Sequence, residues 1–346
     1  MTTFSNPWKF LIAIFPMIGT LFCAQALDIR SRDPYYGAVV IDADTGAILK
    51  EDHAAAQGYP ASMVKLANLF IVLDDLKAGK LSLTEPIQVS REVALIGGRQ
   101  VWLKQGEVFP LEELIYAMMI HSANDAAAAL AIRDSATREA HAARMTAKAR
   151  ELGLKNTVFH NVHGLPPSAG QEPDITSALD MALLARALIH EHSETLHYSS
   201  ISTREFREGD QMVLLTSSNK LLGKVPGCDG LKTGYFYAGG FSITATAERD
   251  GRRVIAVILG CKDKTVRDAK AAEWIEAGFS LLPPVVEEPV VSDEPSAVVE
   301  TPEPAASVEE SVEKTQRDWL MPVLIGLPVL IAVVIAIVTT LRRRPH

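Results

Sequence analysis

The chain offers little sulfur chemistry, with three cysteines in 346 residues. Cys23 lies in a leader-like segment, which leaves Cys228 and Cys261 as the thiols of a processed protein. No glycine-rich phosphate loop and no dinucleotide fingerprint occur, so nucleotide-dependent classes drop out. A basic stripe is also missing, which argues against a nucleic-acid partner.

What is present starts at the two ends. Residues 1–9 are lightly basic, 10–22 are apolar, and Ala24-Gln25-Ala26 follows. This is the three-part form of a secretory signal peptide over 1–26, with cleavage expected after Ala26. Its apolar run is too short to span a bilayer. Bulky Leu21 and Phe22 precede Cys23 where a lipid-attachment signal wants small residues. At the other end, 319–341 is apolar and long enough to cross a membrane, and Arg342-Arg343-Arg344 begins a basic tail over 342–346. Arginines stay cytoplasmic, so everything before Trp319 is expected outside, and both ends agree on one topology. Between them, 283–318 carries ten acidic residues against Lys314 and Arg317. A Pro- and Glu-rich stretch of this kind repels itself and buries little, so it reads as an extended disordered tether. The acidity of the chain belongs to that tether.

The remaining 27–282 suffices for one large domain or two closely packed lobes. Residues 37–43 are apolar and β-branched, Asp44-Thr45-Gly46 is turn chemistry, and 47–51 returns as a second strand. Helical periods cover 61–77, 111–119, 122–133, 136–152 and 179–190. Strands are expected at 230–236, 241–248 and 253–260, with Asp250-Gly251 turning the last pair, before an amphipathic helix at 267–281. Strands at both ends with helices between imply a mixed α/β (α+β) domain, in which one antiparallel sheet gathers both ends around an inserted helical lobe. In that order Cys228 and Cys261 fall at opposite ends of the sheet, too far apart for a bridge that needs Cα atoms within about 7 Å.

Three short strings carry the chemistry: Ser62-Met63-Val64-Lys65, Ser122-Ala123-Asn124 and Lys232-Thr233-Gly234. If Ser62 opens a helix, Lys65 stands one turn on and nearly on the same face. A hydroxyl is a poor nucleophile until a base removes its proton. Lysine serves as that base only where burial or neighbouring cations lower its pKa. Ser122 and Asn124 begin a helix; the bland reading is an N-cap. The functional reading makes Ser122 a proton relay to the leaving group and Asn124 a donor to the substrate's peptide. Gly234 weakens a strand, and close approach of a ligand backbone to the strand edge is a reason to keep it. Lys232 then supplies charge, Thr233 a hydroxyl for a carboxylate, and the N–H of Tyr235 an oxyanion donor beside that of Ser62. Each string is common alone. The three in this order amount to a serine acyl-transferase that needs no histidine.

These strings are the S-x-x-K, SDN-type and K-T-G marks of penicillin-binding proteins and class A β-lactamases. From about residue 34 to 282 the text resembles the low-molecular-weight D-alanyl-D-alanine carboxypeptidases of peptidase family S11. Asp125-Ala126-Ala127 after the second string, Asn161-Val162-His163-Gly164-Leu165, Ser218-Asn219-Lys220-Leu221-Leu222 and Asp229-Gly230-Leu231 before the third carry that resemblance. It implies a β-lactamase/penicillin-binding-protein-like fold over 27–282 and a penicillin-sensitive enzyme of the bacterial cell envelope. Such an enzyme acts on peptidoglycan stem peptides without a cofactor or metal, and β-lactams inhibit it covalently. Ser62 would be acylated with Lys65 as base, and Ser122 would protonate departing D-alanine. Lys232, Thr233 and Arg267 would hold its carboxylate. Departures are the missing second β-rich domain and an anchor that reads as spanning rather than lying on the membrane.

Three rivals compete. A class A β-lactamase needs a carboxylate loop, which Glu172-Pro173-Asp174-Ile175-Thr176 resembles, except that Thr176 replaces the supporting asparagine. A catalytically inactive tethered wall-binding protein is the second. A zinc site built from His190, His192, Glu194 and His197 is the third.

Overall fold

The computed structural model describes residues 27–133, 137–168 and 170–284. The signal segment 1–26, the span 319–341, the tail 342–346 and all but the first two residues of the tether lie outside the described residues. Among the described residues no helix is long and apolar enough to cross a membrane.

The chain opens with β1 (Gly37–Asp42) and β2 (Ile48–Asp52). Gly46 takes a positive φ of 77° in the turn between them, and Asp42 Oδ1 accepts from the Asp44 amide at 2.8 Å. A tight turn over Ala61–Val64 leads into α1 (Lys65–Lys77). Then come β3 (Pro86–Gln88), α2 (Arg91–Ala94), β4 (Val108–Pro110), α3 (Leu111–Ile120), α4 (Asn124–Ala131), α5 (Arg138–Glu151), α6 (Ala178–Glu191) and α7 (Thr195–Ser199). The second half is β5 (Thr203–Phe206), β6 (Val213–Thr216), β7 (Cys228–Phe236), β8 (Gly240–Arg249), β9 (Arg252–Cys261) and α8 (Lys264–Leu281).

Strands from both ends form one five-stranded sheet in the order β2-β1-β9-β8-β7, every pair antiparallel. Asp250 and Gly251 both have positive φ, 50° and 71°, which matches the twist a two-residue hairpin needs. The sheet has two apolar faces because alternate side chains point opposite ways. Val39, Ile41, Ile255 and Val257 face the helical lobe, whereas Ala38, Val40, Val254 and Ala256 face α8. Asp263 caps α8 by accepting from the amides of Thr265 and Val266, so this helix starts three residues before its apolar pattern suggests. Gly278 lets it sit close to the sheet, since a Cβ there would lie 2.6 Å from Val40 Cγ2.

Two elements set the site. Helix α1 is buried on all sides from Lys65 to Leu73, the condition in which a helix needs no polar face. Its one internal amide, Asn68, donates to the carbonyls of Ala127 and Val162. Beside it, α4 is buried throughout, with alanine at 126–129. Cys228 and Cys261 are unpaired. They lie at opposite ends of strands that flank β8 and run parallel, and burial pushes the Cys261 thiol up to about 12.

Candidate active site

Ser62 sits on the tight turn rather than on α1 itself, and Lys65 is the first residue of the helix. The turn is held in an unusual conformation. Ala61 has a φ of 46°, a region L-residues seldom occupy. Two glycines crowd it. A Cβ on Gly164 would lie 2.0 Å from the Ala61 carbonyl oxygen, and one on Gly234 would lie 2.5 Å from that of Pro60 and 3.1 Å from the Ser62 nitrogen. Glycine in β7 is therefore required by the protein's own backbone at the serine turn. The expected reason, a ligand backbone, is not the one the structure gives.

Lys65 Nζ lies 3.0 Å from Ser62 Oγ, 2.7 Å from Asn124 Oδ1 and 2.5 Å from the His163 carbonyl oxygen. Its side chain is fully buried. Desolvation first, then the charge of Lys232, holds its pKa well below the usual lysine value, against an opposing pull from Asp125. An amide oxygen and a carbonyl can only accept. A neutral amine must spend its two N–H groups on them, and its lone pair then falls toward the serine hydroxyl. The arrangement can take a proton from Ser62.

Asn124 closes the other side. Its Oδ1 receives Lys65 and its Nδ2 donates to the Gly97 carbonyl at 3.0 Å, leaving one amide hydrogen for a ligand. Ser122 is not a helix cap: Ala123 occupies that position without a side-chain bond. Ser122 has a φ of 61° and is buried, and its hydroxyl has no partner among the described residues. Ser122 and Ala61, the residue before Ser62, thus stand on left-handed backbone, strain of the kind that concentrates at functional sites.

β7 is the end strand of the sheet and carries the third string. Lys232 is buried and its Nζ donates to the Thr233 carbonyl at 3.1 Å. Desolvation, then Arg99 and Arg267, lowers it to about 7. Arg267 is buried at the start of α8 and pairs with Asp268 at 2.6 Å. Tyr235 is half exposed and stacks on Phe241 with centroids 4.0 Å apart. A cleft of about 930 Å³ joins Ser62, Ser122, Asn124, Thr233, Gly234, Tyr235 and Arg267. Lys65 and Lys232 lie beneath it. All nine expected residues are brought to one place.

Sequence reasoning missed the supports. His163 contributes its backbone carbonyl, while burial and the nearby Lys65 push its imidazole down to about 3. Its loop is fastened by Asn161 Oδ1, which accepts from the amides of His163 and Gly164. Asp174 Oδ1 in turn accepts from the amides of His160 and Asn161 at 2.6 and 3.0 Å. Asp125 accepts from the amides of Val101 and Leu103, which holds the loop bearing Arg99. Arg99 donates across the cleft to Ser218 Oγ and the Thr216 carbonyl. The motif Asn161 to Leu165 was visible in the sequence, but a carbonyl's role leaves no side-chain signature.

The lactamase and zinc rivals lose their geometry. Glu172 is exposed and Asp174 is a loop fastener, so neither lines the cleft. Of the four residues of the zinc alternative only His192 and Glu194 stay together, with His192 Nδ1 3.5 Å from Glu194 Oε1, and the three histidines part. His190 contacts the Ala43 carbonyl, His192 contacts Asp74, and His197 contacts the Tyr116 hydroxyl. Among the described residues Asp74, Glu191 and His192 do gather, but Lys148 Nζ already sits 3.0 Å from Asp74.

The profile of the D-alanyl-D-alanine carboxypeptidase family, peptidase S11, matches residues 23–263. D-alanyl-D-alanine carboxypeptidase DacF of Bacillus subtilis is 33% identical over 243 residues, 70% of this chain and 61% of that protein. DacC of Escherichia coli is 32% identical over 295 residues, 81% of this chain and 70% of that one. The match thus reaches less than two thirds of the Bacillus relative's length. Among solved structures, carboxypeptidase DacD from Francisella tularensis superposes with a TM-score of 0.68 at 28% identity, over 76% of this chain and 75% of that one. Penicillin-binding protein D2 from Listeria monocytogenes, in its ampicillin-bound form, gives 0.64 at 31%, over 71% and 97%.

Proposed function

The chain belongs to the D-alanyl-D-alanine carboxypeptidase family, peptidase S11, and from that premise we propose that it trims the terminal D-alanine from peptidoglycan stem pentapeptides through an ester on Ser62. The observation that carries this reading is the amine of Lys65, buried and 3.0 Å from Ser62 Oγ. Lys65 takes the hydroxyl proton as Oγ attacks the penultimate D-alanine carbonyl, and Ser122 passes a proton to the departing amine. The N–H groups of Ser62 and Tyr235 receive the developing oxyanion. Lys232, Thr233 and Arg267 hold the leaving carboxylate, and Asn124 orients the peptide. Water then hydrolyses the ester. No cofactor or metal enters this scheme.

β-Lactams present a strained amide and a carboxylate in the same relation, so they acylate Ser62 as covalent inhibitors. The only carboxylate among the described cleft residues, Asp268, is engaged by Arg267. That supports a long-lived penicilloyl ester and disfavours the lactamase reading. The catalytic domain over 27–282 works on the outer face of the cytoplasmic membrane in the bacterial envelope. There the signal segment, acidic tether and C-terminal span export it and hold it.

The test is release of free D-alanine from a peptide ending in D-Ala-D-Ala by the full chain in detergent. Release by the parent and none by Ser62→Ala is expected. Equal release by both would refute Ser62 as nucleophile.

A further inference from the structure

Two arginines line the cleft among the described residues, Arg99 and Arg267, and they differ in what they face. Arg267 spends its fork on a carboxylate, since Asp268 Oδ1 accepts from its Nε at 2.9 Å and its Nη2 at 2.6 Å. Arg99 meets only neutral acceptors. Its Nη1 donates to Ser218 Oγ at 2.7 Å and its Nη2 to the Thr216 carbonyl at 2.8 Å. His121 Nδ1 lies 3.4 Å from the same Nη2 and 3.3 Å from the Thr216 amide. That nitrogen accepts, because burial, then Arg99 and Lys232, push the imidazole down to about 4.

These contacts aim the guanidinium without neutralising it. Arginine carries five N–H donors, and the Nε of Arg99 has no partner among the described residues. The backbone beneath is fixed as well. Asn124 donates its amide to the Arg99 carbonyl at 2.8 Å and its Nδ2 to the Gly97 carbonyl at 3.0 Å. Gly98 between them has a φ of 79°, and a Cβ there would lie 2.6 Å from Asn124 Nδ2. Asn124 also receives Lys65, so Arg99 keeps a set relation to the serine and its base.

The charge on the third string is weaker. Burial, then Arg99 and Arg267, lowers Lys232 to about 7. Its amine thus lies in the field of both guanidiniums and loses its own proton near neutral pH. An arginine keeps its charge throughout. Arg99 is then the one arginine of the cleft, among the described residues, whose charge no carboxylate offsets.

We propose that Arg99 binds the carboxylate of the departing D-alanine alongside Lys232 and Thr233, and makes the site select a free C-terminal acid. The inference rests on the carboxypeptidase reading above, which supplies the substrate, and adds to the grip a residue that none of the three strings contains. A guanidinium held by neutral acceptors can turn its remaining donors to a carboxylate as a fork, which a lysine cannot.

The test uses the full chain in detergent and two peptides ending in D-Ala-D-Ala, one with a free carboxylate and one capped as the amide. Arg99→Gln should raise KM for the acid about tenfold or more near pH 6, where Lys232 is charged, with kcat little changed. Preference for the acid over the amide should fall by the same factor. A nearby cation lowers an amine's pKa, so its removal should also carry the alkaline rise in KM to higher pH. Arg99→Lys keeps the charge and should leave that rise near pH 7 while recovering part of the affinity. Equal losses on acid and amide, or a rise in KM that stays near pH 7 in Arg99→Gln, overturn the inference and leave Arg99 as a strap across the cleft. The pH limb decides even where the amide is cut too slowly to compare. No D-alanine release by the parent counts against the carboxypeptidase reading itself.

Discussion

Lys65 Nζ and Ser62 Oγ lie 3.0 Å apart, and the two other neighbours of that nitrogen, Asn124 Oδ1 and the His163 carbonyl, are obligate acceptors. The direction of proton flow follows. With its N–H groups committed to those acceptors, a neutral Lys65 has only its lone pair to offer the serine, and burial lowers its pKa toward that neutral form. A helix start, a helix start and a loop carbonyl, separated by about a hundred residues, together build one base.

Asn124→Asp tests that base directly. It replaces a neutral acceptor 2.7 Å from Nζ with a carboxylate, which favours the charged amine. Acylation by a labelled penicillin should fall at least about 100-fold near neutral pH, and the remaining rate should rise toward alkaline pH relative to the parent. An unchanged rate and profile would show that Asn124 does not govern the proton on Lys65.

The alkaline limb should belong to Lys232. Burial, then Arg99 and Arg267, lowers it to about 7. It holds a carboxylate only when protonated, so substrate binding weakens as pH rises through that value. We expect KM for a D-Ala-D-Ala peptide to climb above about pH 7 while kcat holds, and Lys232→Arg to carry the limb to higher pH. Steady-state kinetics across that range decide it.

Gly234→Ala should separate folding from chemistry. The added methyl would meet the Pro60 carbonyl at 2.5 Å and the Ser62 nitrogen at 3.1 Å, pushing the serine turn and β7 apart. Loss of one oxyanion contact costs about 100-fold or more in rate. The variant should keep its circular dichroism and lose acylation by at least that factor.

Asp174 gives a stability prediction with a definite sign. Burial raises its carboxyl from 3.8 to about 7, against the two amides it accepts from, and its Oδ2 has no partner among the described residues. A folded-state pKa raised above the unfolded one stabilises the fold at acid pH, and that contribution is lost as pH rises through about 7. At pH 8 the ionised group costs on the order of 4 kcal/mol. Asp174→Asn keeps an acceptor for His160 and Asn161 without the charge. Its Tm should exceed the parent's by at least about 4 °C at pH 8, with little difference at pH 4. Thermal melts at the two pH values read it.

The parts of this fold legible in the sequence are those where many residues repeat one instruction. Apolar alternation in the strands that became β1, β8 and β9, and the turn pairs Asp44 to Gly46 and Asp250-Gly251, were enough to assign strands at both ends to one sheet. The strands β3, β4, β5 and β6 have three or four residues each, too few for a period to show. The start of α8 was missed because its cap, Asp263, lies outside the apolar pattern.

The site was legible through side chains and opaque through backbone. Ser62, Lys65, Ser122, Asn124 and Lys232 announce themselves by type and spacing, and Arg267 only through the family resemblance. The carbonyl of His163, the left-handed backbone of Ala61 and Ser122, and the clearance at Gly164 and Gly234 belong to tertiary contacts that no local pattern encodes. The histidines near the end of α6 mislead for the converse reason. Close in sequence, they point to three different partners.

The most direct test of the central claim is the mass of the chain after brief exposure to benzylpenicillin, followed by peptide mapping. The account predicts one penicilloyl group per chain, on the peptide containing Ser62, persisting for minutes and absent from Ser62→Ala. An adduct on another serine, or full acylation of Ser62→Ala, would contradict it.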